Sequence, residues 1–480
     1  MSAPTAGLVG SEAAQLLGYL RAARWFAGKG RRMDLIGLTP LPWLSEPGSW
    51  PAVRCVVAEV GYHEDGLEET GSASELYQLA LSYYPDVRPD LAAAEIGALS
   101  HPELGDVVSY DAMADPQACR VFLRRLRDAD QIEGQSETTS GTNRPTVRFH
   151  LLAGDLLTDE LEPRIYTGQQ SNTSVMYGEV AMLKLFRRLE IGHNLDIEVH
   201  ESLRHRGVGD VAQLYGWVEA SWTAAGRSST GTDALRADLA MVVEKLADAE
   251  DGWELALDTL RTGEDFRPRA QALGGALAEI HAALLQEFGA STSPGAAVSE
   301  VMATRLDRAV AVASELAPHQ AGLRRWFDCL AEVALATQRV HGDFHLGQTL
   351  YTPSGWKIID FEGEPVKSLA ERSAPDSVWR DVAGMLRSFD YAAASVPGVD
   401  GQAWAERCRA AFLQGYAGGM SAADEALLGA YVADKAIYEV VYEIRNRPDW
   451  VEIPLRAVEA LASVYPSSTA DQRLSEQVKE

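Results

Sequence analysis

The feature that most constrains this chain is the polar string His341–Gln348, which is followed at a short distance by Asp360. The segment between them contains two runs of strand-forming residues, Thr349–Thr352 and Trp356–Ile359, separated by Pro-Ser-Gly. This pattern predicts a β-hairpin. Because a hairpin returns the chain to its starting point, we expect it to bring Asp360 beside Gln348.

The residue types in this arrangement are those that phosphoryl transfer requires. Asp343 and Gln348 are five residues apart, the separation that kinases keep between the catalytic base and a metal-binding amide. Gln348 and Asp360 can also supply oxygens that hold Mg²⁺ against the phosphates of ATP. A His-Gly-Asp tripeptide, or an aspartate after an apolar strand, is more often an ordinary turn or cap residue when it stands alone. Together at this spacing, they predict a phosphotransferase site with Asp343 as the base.

Composition narrows the class of protein. The net charge of −26 argues against nucleic acid or an anionic membrane as a partner, because both bind cationic surfaces. The N-terminus has no basic segment ahead of an apolar run, and no apolar stretch reaches the length of a membrane span, so we expect a soluble, cytoplasmic protein. The four cysteines are scattered and include no CxxC pair, which predicts neither a disulfide framework nor a sulfur-ligated metal.

A chain of 480 residues is too long for one core and should hold two or three domains. We divide it into three. Residues 1–94 form the first, with a helix over Ser11–Ala23 and strands over Ala52–Val60 and Glu75–Leu81. Residues 95–248 form a β-rich second domain, and residues 249–480 a helical third. The cluster Arg24–Arg31 can be interpreted as a phosphate grip, but we favour an aromatic pair packed beneath a solvated basic turn.

A second polar segment, Gly168–Gly178, is interpreted as a tight turn between two strands. Backbone amides and hydroxyls at such a turn can bind phosphate oxygens, and Lys184 on the next strand can reach the α- and β-phosphates. The alternative for Lys184 is an exposed lysine at a strand edge. An acidic partner can come from Asp196, Glu198 or Glu201 on the next helix, and helical spacing does not separate the three. The candidate phosphate ligands of the turn are Ser171, Asn172, Thr173 and Ser174.

Two further segments allow two interpretations each. The apolar strand that ends at Val243 and Glu244, with Leu246 after it, is typical of an interlobe hinge that offers backbone groups to adenine. An ordinary strand and loop fits the same letters equally well. Asp381, at the start of a predicted helix, is either a plain N-terminal cap or a buried acceptor that braces the catalytic loop.

The segment Asp434–Trp450 is the best candidate for binding the acceptor. On a helical wheel, an apolar face that includes Ile437 and Val440 lies opposite a face that carries two tyrosines among charges. Aromatic faces and charged side chains are the groups that bind sugars, although a merely solvated face is the alternative. The residues of the polar face are Lys435, Tyr438, Glu439 and Tyr442, and Arg445 extends it.

The chain resembles the actinobacterial maltokinases, within the aminoglycoside-phosphotransferase-like kinases. The strings that carry the resemblance are Arg24–Gly28, Gln170–Val175, Leu183–Arg188, His341–Gln348, Asp360–Pro365, Arg380–Phe389 and Asp434–Trp450. Glutamine at the metal position and the string Asp-Phe-Glu-Gly-Glu-Pro mark this group in particular. The resemblance implies an α+β, bilobal protein-kinase-like (aminoglycoside phosphotransferase-like) fold with an N-terminal cap subdomain.

The resemblance also implies ATP-dependent, Mg²⁺-assisted phosphorylation of maltose at its anomeric hydroxyl, feeding α-glucan (glycogen) synthesis. By motif, Asp343 is the base, and Gln348 and Asp360 bind Mg²⁺ with support from Glu362. Lys184 pairs with Glu198 and contacts the phosphates. The residues expected at the sugar are Asp343, His345, Lys435, Tyr438, Glu439, Tyr442 and Arg445.

Other acceptors remain open. Some actinobacterial relatives with the same strings are glucosamine kinases, which phosphorylate the 6-hydroxyl of an amino sugar. A cationic amine favours carboxylates such as Glu439, whereas a disaccharide favours the aromatic side chains of Tyr438 and Tyr442, and we favour maltose. An aminoglycoside kinase is a further alternative. A catalytically silent binding partner of a trehalose-metabolising enzyme is disfavoured because the catalytic residues are intact, and we expect a monomer with a trehalose synthase as a candidate partner.

Overall fold

The computed structural model describes residues 10–63, 74–134, 144–166, 168, 172–223, 234–364 and 367–464. The chain divides into two compact units. The first comprises Met1–Glu198 with Gln213–Ala247, and the second comprises Val199–Ala212 with Asp248–Glu480. The predicted three-domain division near residues 94 and 248 stays a prediction.

The first unit is built mainly of antiparallel strands. Its described strands, in chain order, are β1 (Arg32–Trp43), β2 (Ala52–His63), β3 (Ser74–Tyr84), β4 (Glu95–His101), β5 (Gly105–Asp111), β6 (Gln131–Glu133), β7 (Thr146–Leu151), β8 (Pro163–Ile165), β9 (Thr173–Tyr177), β10 (Ala181–Leu185), β11 (Arg188–Leu189), β12 (Leu214–Trp222) and β13 (Leu235–Glu244). Helices α1 (Gly10–Ala22) and α2 (Pro116–Arg127) belong to this unit, and the residues of α3 (Leu195–His205) are divided between the two units. One sheet has the order β1-β2-β3-β5-β4 with β11 on β3, and the other has the order β6-β7-β12-β13-β10-β9-β8.

Strand β2 is buried along nearly its whole length because its two faces contact different cores. Side chains alternate across a strand, so Val53 and Val57 pack in the core that also contains β7, β10 and β13. Val56 and Val60, on the opposite face, pack in the core that contains helix α1. This explains why apolar residues occupy both faces of β2 and do not simply alternate with polar ones.

The predicted strands and the first helix of this unit are confirmed, with small changes at their ends. The predicted packing of Arg24–Arg31 is also confirmed, because the Trp25 and Phe26 rings lie 6.2 and 4.9 Å from the Tyr77 ring. The prediction of one turn over Gly168–Gly178 is wrong for its second half. Residues 173–177 form strand β9, which pairs antiparallel with β10. The β-branched and aromatic residues Thr173, Val175 and Tyr177 favour a strand there.

The second unit is mainly helical. Its remaining described helices are α4 (Gly252–Thr262), α5 (Arg267–Phe288), α6 (Gly295–Val312), α7 (Gln320–Asp328), α8 (Leu369–Ser373), α9 (Trp379–Ala394), α10 (Gly401–Ala417), α11 (Ala422–Asn446) and α12 (Glu452–Ser463). Its strands are β14 (Glu250–Asp251), β15 (Ser291–Pro294), β16 (Ala334–Thr337), β17 (Thr349–Thr352) and β18 (Gly355–Ile358). They form the sheets β14-β17-β18 and β15-β16.

Helix α11 is longer at its start and shorter at its end than the sequence predicts. It begins after Ser421, whose side chain and backbone exchange hydrogen bonds with Asp424 in a capping box. It ends at Asn446 because Pro448 cannot continue a helix, so Trp450 lies in a separate 3₁₀ turn. Among the described residues, none of the helices combines the length and the apolar character that a bilayer crossing requires.

Candidate active site

The hairpin predicted between the two polar strings is present. Strands β17 and β18 pair antiparallel, with Thr349 opposite Ile358. The turn carries Gly355 at a φ of +112°, a conformation that favours glycine. The hairpin returns Asp360 to Gln348, whose Nε2 donates to Asp360 Oδ2 at 3.3 Å. The predicted juxtaposition of these two residues is therefore confirmed.

Residues 360–362 assemble a set of hard oxygen donors. Asp360 has a φ of +66°, a left-handed conformation that aspartate tolerates better than most residues. Carboxylate oxygens of Asp360 and Glu362 lie within 4.8 Å of each other, and the Glu362 carbonyl accepts a hydrogen bond from Arg372 at 2.7 Å. Carboxylate and amide oxygens are the ligands that Mg²⁺ prefers. The donor set of Gln348, Asp360 and Glu362 therefore fits Mg²⁺.

The catalytic loop is held by a buried carboxylate on helix α9. Asp381 is fully buried and accepts the backbone N–H groups of His341 and Gly342 at 2.7 and 2.8 Å. A third hydrogen bond joins Asp381 to His281 Nε2 at 2.9 Å. Burial alone would raise the pKa of this carboxyl, but the hydrogen bond and charge of His281, with the Gly342 amide, hold the pKa below its ordinary value. Of the two interpretations of Asp381, the brace is confirmed.

The loop also lies directly against the α9 backbone. Gly384 leaves no room for a side chain, since a Cβ atom there would stand 2.4 Å from the Phe344 carbonyl oxygen. One turn further along α9, Ser388 Oγ accepts the Leu346 N–H at 3.0 Å. These contacts fix both flanks of the loop, and Asp343 lies between them.

Two histidines of the string serve the loop itself. His341 Nε2 donates to the Ile359 carbonyl at 3.0 Å, which ties the loop to the end of the hairpin. His345 Nδ1 accepts the Gly347 N–H at 3.1 Å and so caps the 3₁₀ turn that carries Gln348. Burial lowers the pKa of His345, so the neutral ring that this acceptor role needs is favoured.

Asp343 faces a cavity of about 200 Å³ within the second unit. Its wall combines both signs of charge with aromatic rings. The cationic residues of the wall are Arg305, Lys367, Arg380 and Lys435. The anionic ones are Asp343, Glu364 and Asp434, and Tyr431 and Tyr438 supply the phenols.

Lys435 is the cation nearest to the predicted base. Its Nζ atom lies 3.7 Å from Asp343 Oδ1 and 3.9 Å from Glu364 Oε1. Burial alone would lower the pKa of the Lys435 amine, but the carboxylates of Asp343, Glu439 and Glu364 raise it. Lys435 therefore remains a cation beside the hydroxyl that Asp343 is predicted to deprotonate.

The structure brings only part of the predicted acceptor surface to this cavity. Lys435 and Tyr438 line it with Asp343, whereas Glu439, Tyr442, Arg445 and His345 are not among its lining residues. Glu439 is buried, and its carboxylate accepts from Arg387 Nε at 2.8 Å. Tyr442 and Arg445 are exposed. The roles of these four residues at a sugar stay predictions, and the cavity does not support them.

Several wall residues were missed by the sequence reasoning. Glu364 belongs to the marked string Asp360–Pro365, and Asp434 lies one helical turn before Tyr438, so both carried a local signal. Arg305, on α6, and Arg380, on α9, carried none, because only tertiary packing brings them to the cavity.

The predicted phosphate-side residues belong to the first unit. Lys184, on β10, forms an ion pair with Asp196 at 2.9 Å, one of the three acids that the sequence offered. The pairing with Glu198 stays a prediction. Arg187 Nε donates to Thr173 Oγ1 at 2.7 Å, and the Arg187 N–H donates to Asn172 Oδ1 at 3.3 Å.

Ser174 is buried on β9, opposite Lys184 in the strand register. Ser171 lies outside the described residues. The proposed phosphate contacts of these residues stay predictions.

The predicted adenine hinge begins at the end of β13, which includes Val243 and Glu244. Glu244 exchanges hydrogen bonds with Gln213, its N–H donating to the Gln213 carbonyl at 2.8 Å. The Lys245 N–H donates to the Val180 carbonyl at 2.9 Å. The N–H groups of Glu244 and Lys245 are therefore already hydrogen-bonded within the protein. Contacts of Val243, Glu244 and Leu246 with adenine stay predictions.

Comparison with known proteins identifies two segments. Residues 19–115 match the maltokinase N-terminal cap domain, and residues 232–426 match the phosphotransferase enzyme family. The glucosamine kinase of Streptacidiphilus jiangxiensis is 29% identical over 59% of this chain and 70% of its own length. The glucosamine kinase of Mycolicibacterium smegmatis is 27% identical over 62% of this chain and 79% of its own length.

Solved structures agree on the fold. A glucosamine kinase structure superposes with a TM-score of 0.63 at 22% identity, covering 90% of this chain and 94% of that one. A second, solved with glucosamine, ADP and inorganic phosphate, gives a TM-score of 0.62 at 21% identity and covers 95% and 99%. These matches confirm the predicted aminoglycoside phosphotransferase-like fold with an N-terminal cap, and the predicted class of ATP-dependent phosphotransferase. The chain therefore combines a maltokinase N-terminal cap domain with a domain of the phosphotransferase enzyme family, and actinobacterial glucosamine kinases are its homologues.

Proposed function

We propose that this enzyme transfers the γ-phosphoryl group of ATP to a hydroxyl of a single sugar ring, with glucosamine as the preferred acceptor. The observation that carries the proposal is the position of Asp343. Asp343 lines a cavity of about 200 Å³, on a loop fixed at both flanks. A sugar hydroxyl in that cavity meets a positioned base.

In the proposed reaction, Asp343 takes up the proton and ADP is the leaving group. The hydroxyl oxygen attacks the γ-phosphorus as Asp343 accepts the hydroxyl proton, and the bond from that phosphorus to the β,γ-bridging oxygen breaks. ADP leaves with the electron pair of the broken bond, and Asp343 returns its proton to solvent. Lys435, whose Nζ atom lies 3.7 Å from Asp343 Oδ1, orients the acceptor beside the base.

Gln348, Asp360 and Glu362 would hold Mg²⁺. When bound, the ion neutralises the charge of the phosphate oxygens. This chain positions the three donors by the hairpin, which joins Gln348 to Asp360, and by the Arg372 hydrogen bond to the Glu362 carbonyl.

The carboxylates of the cavity wall and the identity of the known relatives support an amino monosaccharide as the acceptor. A volume of about 200 Å³ has room for one hexose ring. Two carboxylates besides the base, Glu364 and Asp434, line the wall, and a cationic amine is complementary to them. The two curated relatives described above are glucosamine kinases. On these grounds glucosamine replaces maltose, the acceptor that the sequence favoured.

Maltose is the second candidate. The match of residues 19–115 to the maltokinase cap domain favours it. Tyr431 and Tyr438 also offer phenol rings that suit the apolar faces of a sugar. The earlier expectations of a trehalose synthase partner and of a monomer stay predictions.

An ADP-release assay with several acceptors tests the proposal. Purified enzyme is supplied with ATP, Mg²⁺ and glucosamine, glucose, maltose or kanamycin in parallel. We expect the highest kcat/KM with glucosamine and a lower value with glucose. Highest activity with maltose would select the second candidate, and ADP release with none of the four would overturn the proposed function.

A further inference from the structure

The lysine predicted to contact ATP belongs to a connected set of contacts within the first unit. Lys184, on β10, pairs with Asp196 at the start of α3, and the two side chains are 20% and 3% exposed. Strand β10 is also paired with β13, where Lys184 lies opposite Met241. The same strand β13 carries Asp238, whose side chain is 1% exposed. The position of the lysine therefore depends on how β13 and the start of α3 are joined.

Asp238 makes that junction. Its Oδ2 atom accepts hydrogen bonds from the Asn194 N–H and from His193 Nδ1, each at 2.7 Å. Asn194 Oδ1 in turn accepts the N–H groups of Asp196 and Ile197 at 2.9 and 3.3 Å, which makes Asn194 the N-cap of α3. The backbone of Asp196 is thus linked to Asp238 through one intervening residue.

Further contacts fix the same end of α3 on the sheet. The Gly192 N–H donates to the Arg236 carbonyl of β13 at 2.8 Å. Ile197 is fully buried in the core that contains β10 and β13. A buried carboxylate is costly unless its hydrogen bonds are made, so the contacts of Asp238 should persist in the folded protein. The first turn of α3 therefore has one defined position relative to β10.

We propose that Asp238 is a positioning residue for the nucleotide: through the N-cap of α3 it holds Asp196 in place, and Asp196 keeps the Lys184 ammonium at the phosphates of ATP. This assignment rests on the proposed function and extends it to the nucleotide side. Asp238 acts through Lys184 and not by contact with a substrate. Its loss should therefore weaken nucleotide binding and leave sugar binding unchanged.

A purely structural role is the competing explanation, because Asp238 also ties α3 to the sheet. The two explanations differ in a Lys184→Met background. A positioning role has no lysine to act on there, so Asp238→Ala should change nucleotide affinity by less than about twofold. A structural role predicts the same fold-change with and without the lysine, because independent effects add.

The measured quantities are the Kd for ADP with Mg²⁺, from calorimetry, and the KM for the sugar acceptor, from ADP release. We expect Asp238→Ala to raise the Kd about tenfold, the usual effect of losing a hydrogen bond to a charged group, and to leave the KM within about twofold. Asp238→Asn retains an oxygen that can accept both hydrogen bonds and should restore most of the affinity.

Glu219→Ala is the matched control. Glu219 is a buried carboxylate of the same sheet, and its partner is Arg236 on β13, so the substitution breaks an ion pair of the sheet and keeps the contacts of Asp238 with α3. Both the Kd for ADP and the KM for the sugar should stay at the wild-type values.

Three results would overturn the assignment alone: an unchanged Kd in Asp238→Ala, an unchanged Kd in Lys184→Met, or the same increase on adding Asp238→Ala with and without Lys184. If Asp238→Ala does not fold, as judged by its thermal transition, Asn194→Ala decides, because it removes the N-cap that links Asp238 to Asp196. Its Kd should rise about threefold, and an unchanged value contradicts the assignment. ADP release with none of the sugars overturns the proposed function, whereas the Kd comparisons report on Asp238 separately.

Discussion

The catalytic loop and the acceptor wall of the same cavity are held in different ways. The loop is fixed through its backbone, since the N–H groups of His341, Gly342 and Leu346 donate to side chains of helix α9. The wall on α11 is held by side-chain ion pairs with other segments. Lys435 lies beside Asp343 and Glu364, and Asp434 pairs with Arg305.

The difference assigns separate tasks to the two regions. Backbone hydrogen bonds to a buried acceptor give one geometry that does not depend on the ligand. Side-chain ion pairs can exchange partners, so the wall can offer its charges to a ligand. Substitutions in the loop should lower turnover with every acceptor, whereas substitutions in the wall should mainly change KM and acceptor preference.

The largest effect is expected at the base. Asp343→Asn keeps the size of the side chain but cannot accept the hydroxyl proton, so kcat should fall roughly 10³–10⁴-fold, the upper part of what a positioned general base contributes. Steady-state ADP release with glucosamine and with glucose measures it. The fall should be similar for both sugars, and the thermal transition should stay unchanged. A fall confined to one sugar would indicate that Asp343 binds that sugar and is not the general base.

The metal side of the loop should show the next largest effect. Asparagine tolerates the left-handed conformation of residue 360, so Asp360→Asn should fold. Loss of the carboxylate should lower kcat about 10²-fold and move half-maximal activity to a higher Mg²⁺ concentration. A Mg²⁺ titration of activity checks this. An unshifted titration curve would count against Asp360 as a metal ligand.

The brace should affect stability and turnover together. In wild type, the two oxygens of Asp381 accept hydrogen bonds from the His341 and Gly342 N–H groups. In Asp381→Asn, an NH₂ group replaces one of these oxygens and faces another donor, so the free energy of unfolding should fall by about 2–3 kcal/mol. Urea unfolding measures the loss. Asp390→Asn, outside the brace, should show a smaller loss, and equal losses would argue against a special role for Asp381.

The pKa of Asp381 gives this prediction a pH dependence. Burial raises the folded-state pKa, but His281 and the Gly342 amide hold it below the ordinary value of 3.8. A depressed folded pKa stabilises the protein above the unfolded pKa, and this contribution disappears as the pH falls through the folded pKa. The stability difference between wild type and Asp381→Asn should therefore be constant near neutral pH and shrink below about pH 3.8.

The smallest effect is expected on the wall. Lys435→Met should raise KM for the sugar about tenfold, equivalent to about 1.4 kcal/mol of binding, with a smaller change in kcat. Lys29→Met, at an exposed lysine of the first unit, is the matched control and should leave both constants unchanged. A fall in kcat with no change in KM would indicate that Lys435 acts in the chemical step and not in binding the sugar.

The sequence predicted the loop better than the wall, for a physical reason. The hairpin that joins Gln348 to Asp360 depends on neighbouring residues, so its composition and turn residues specify it. The helical wheel placed Glu439 with the acceptor residues, but the charge of Arg387 draws it into the core. Arg387 is distant in sequence, and no local pattern reveals such a partner.

The same limit applies to Asp381 and to strand β9. Two interpretations of Asp381 were equally compatible with a helix start, and only the approach of the loop to α9 separates them. Polar letters suggested a turn at Thr173 and Ser174, but pairing with β10 places both in a strand. Tertiary pairing overrides local propensity at these positions.

The central claim is that the hydroxyl of one sugar ring receives the γ-phosphoryl group at Asp343. Phosphorus-31 NMR of a reaction containing ATP, Mg²⁺ and glucosamine tests it most directly. We predict a new phosphomonoester signal coupled to the C6 protons, together with ADP, from the wild-type enzyme and almost none from Asp343→Asn. A signal of equal rate and size from Asp343→Asn would contradict the claim.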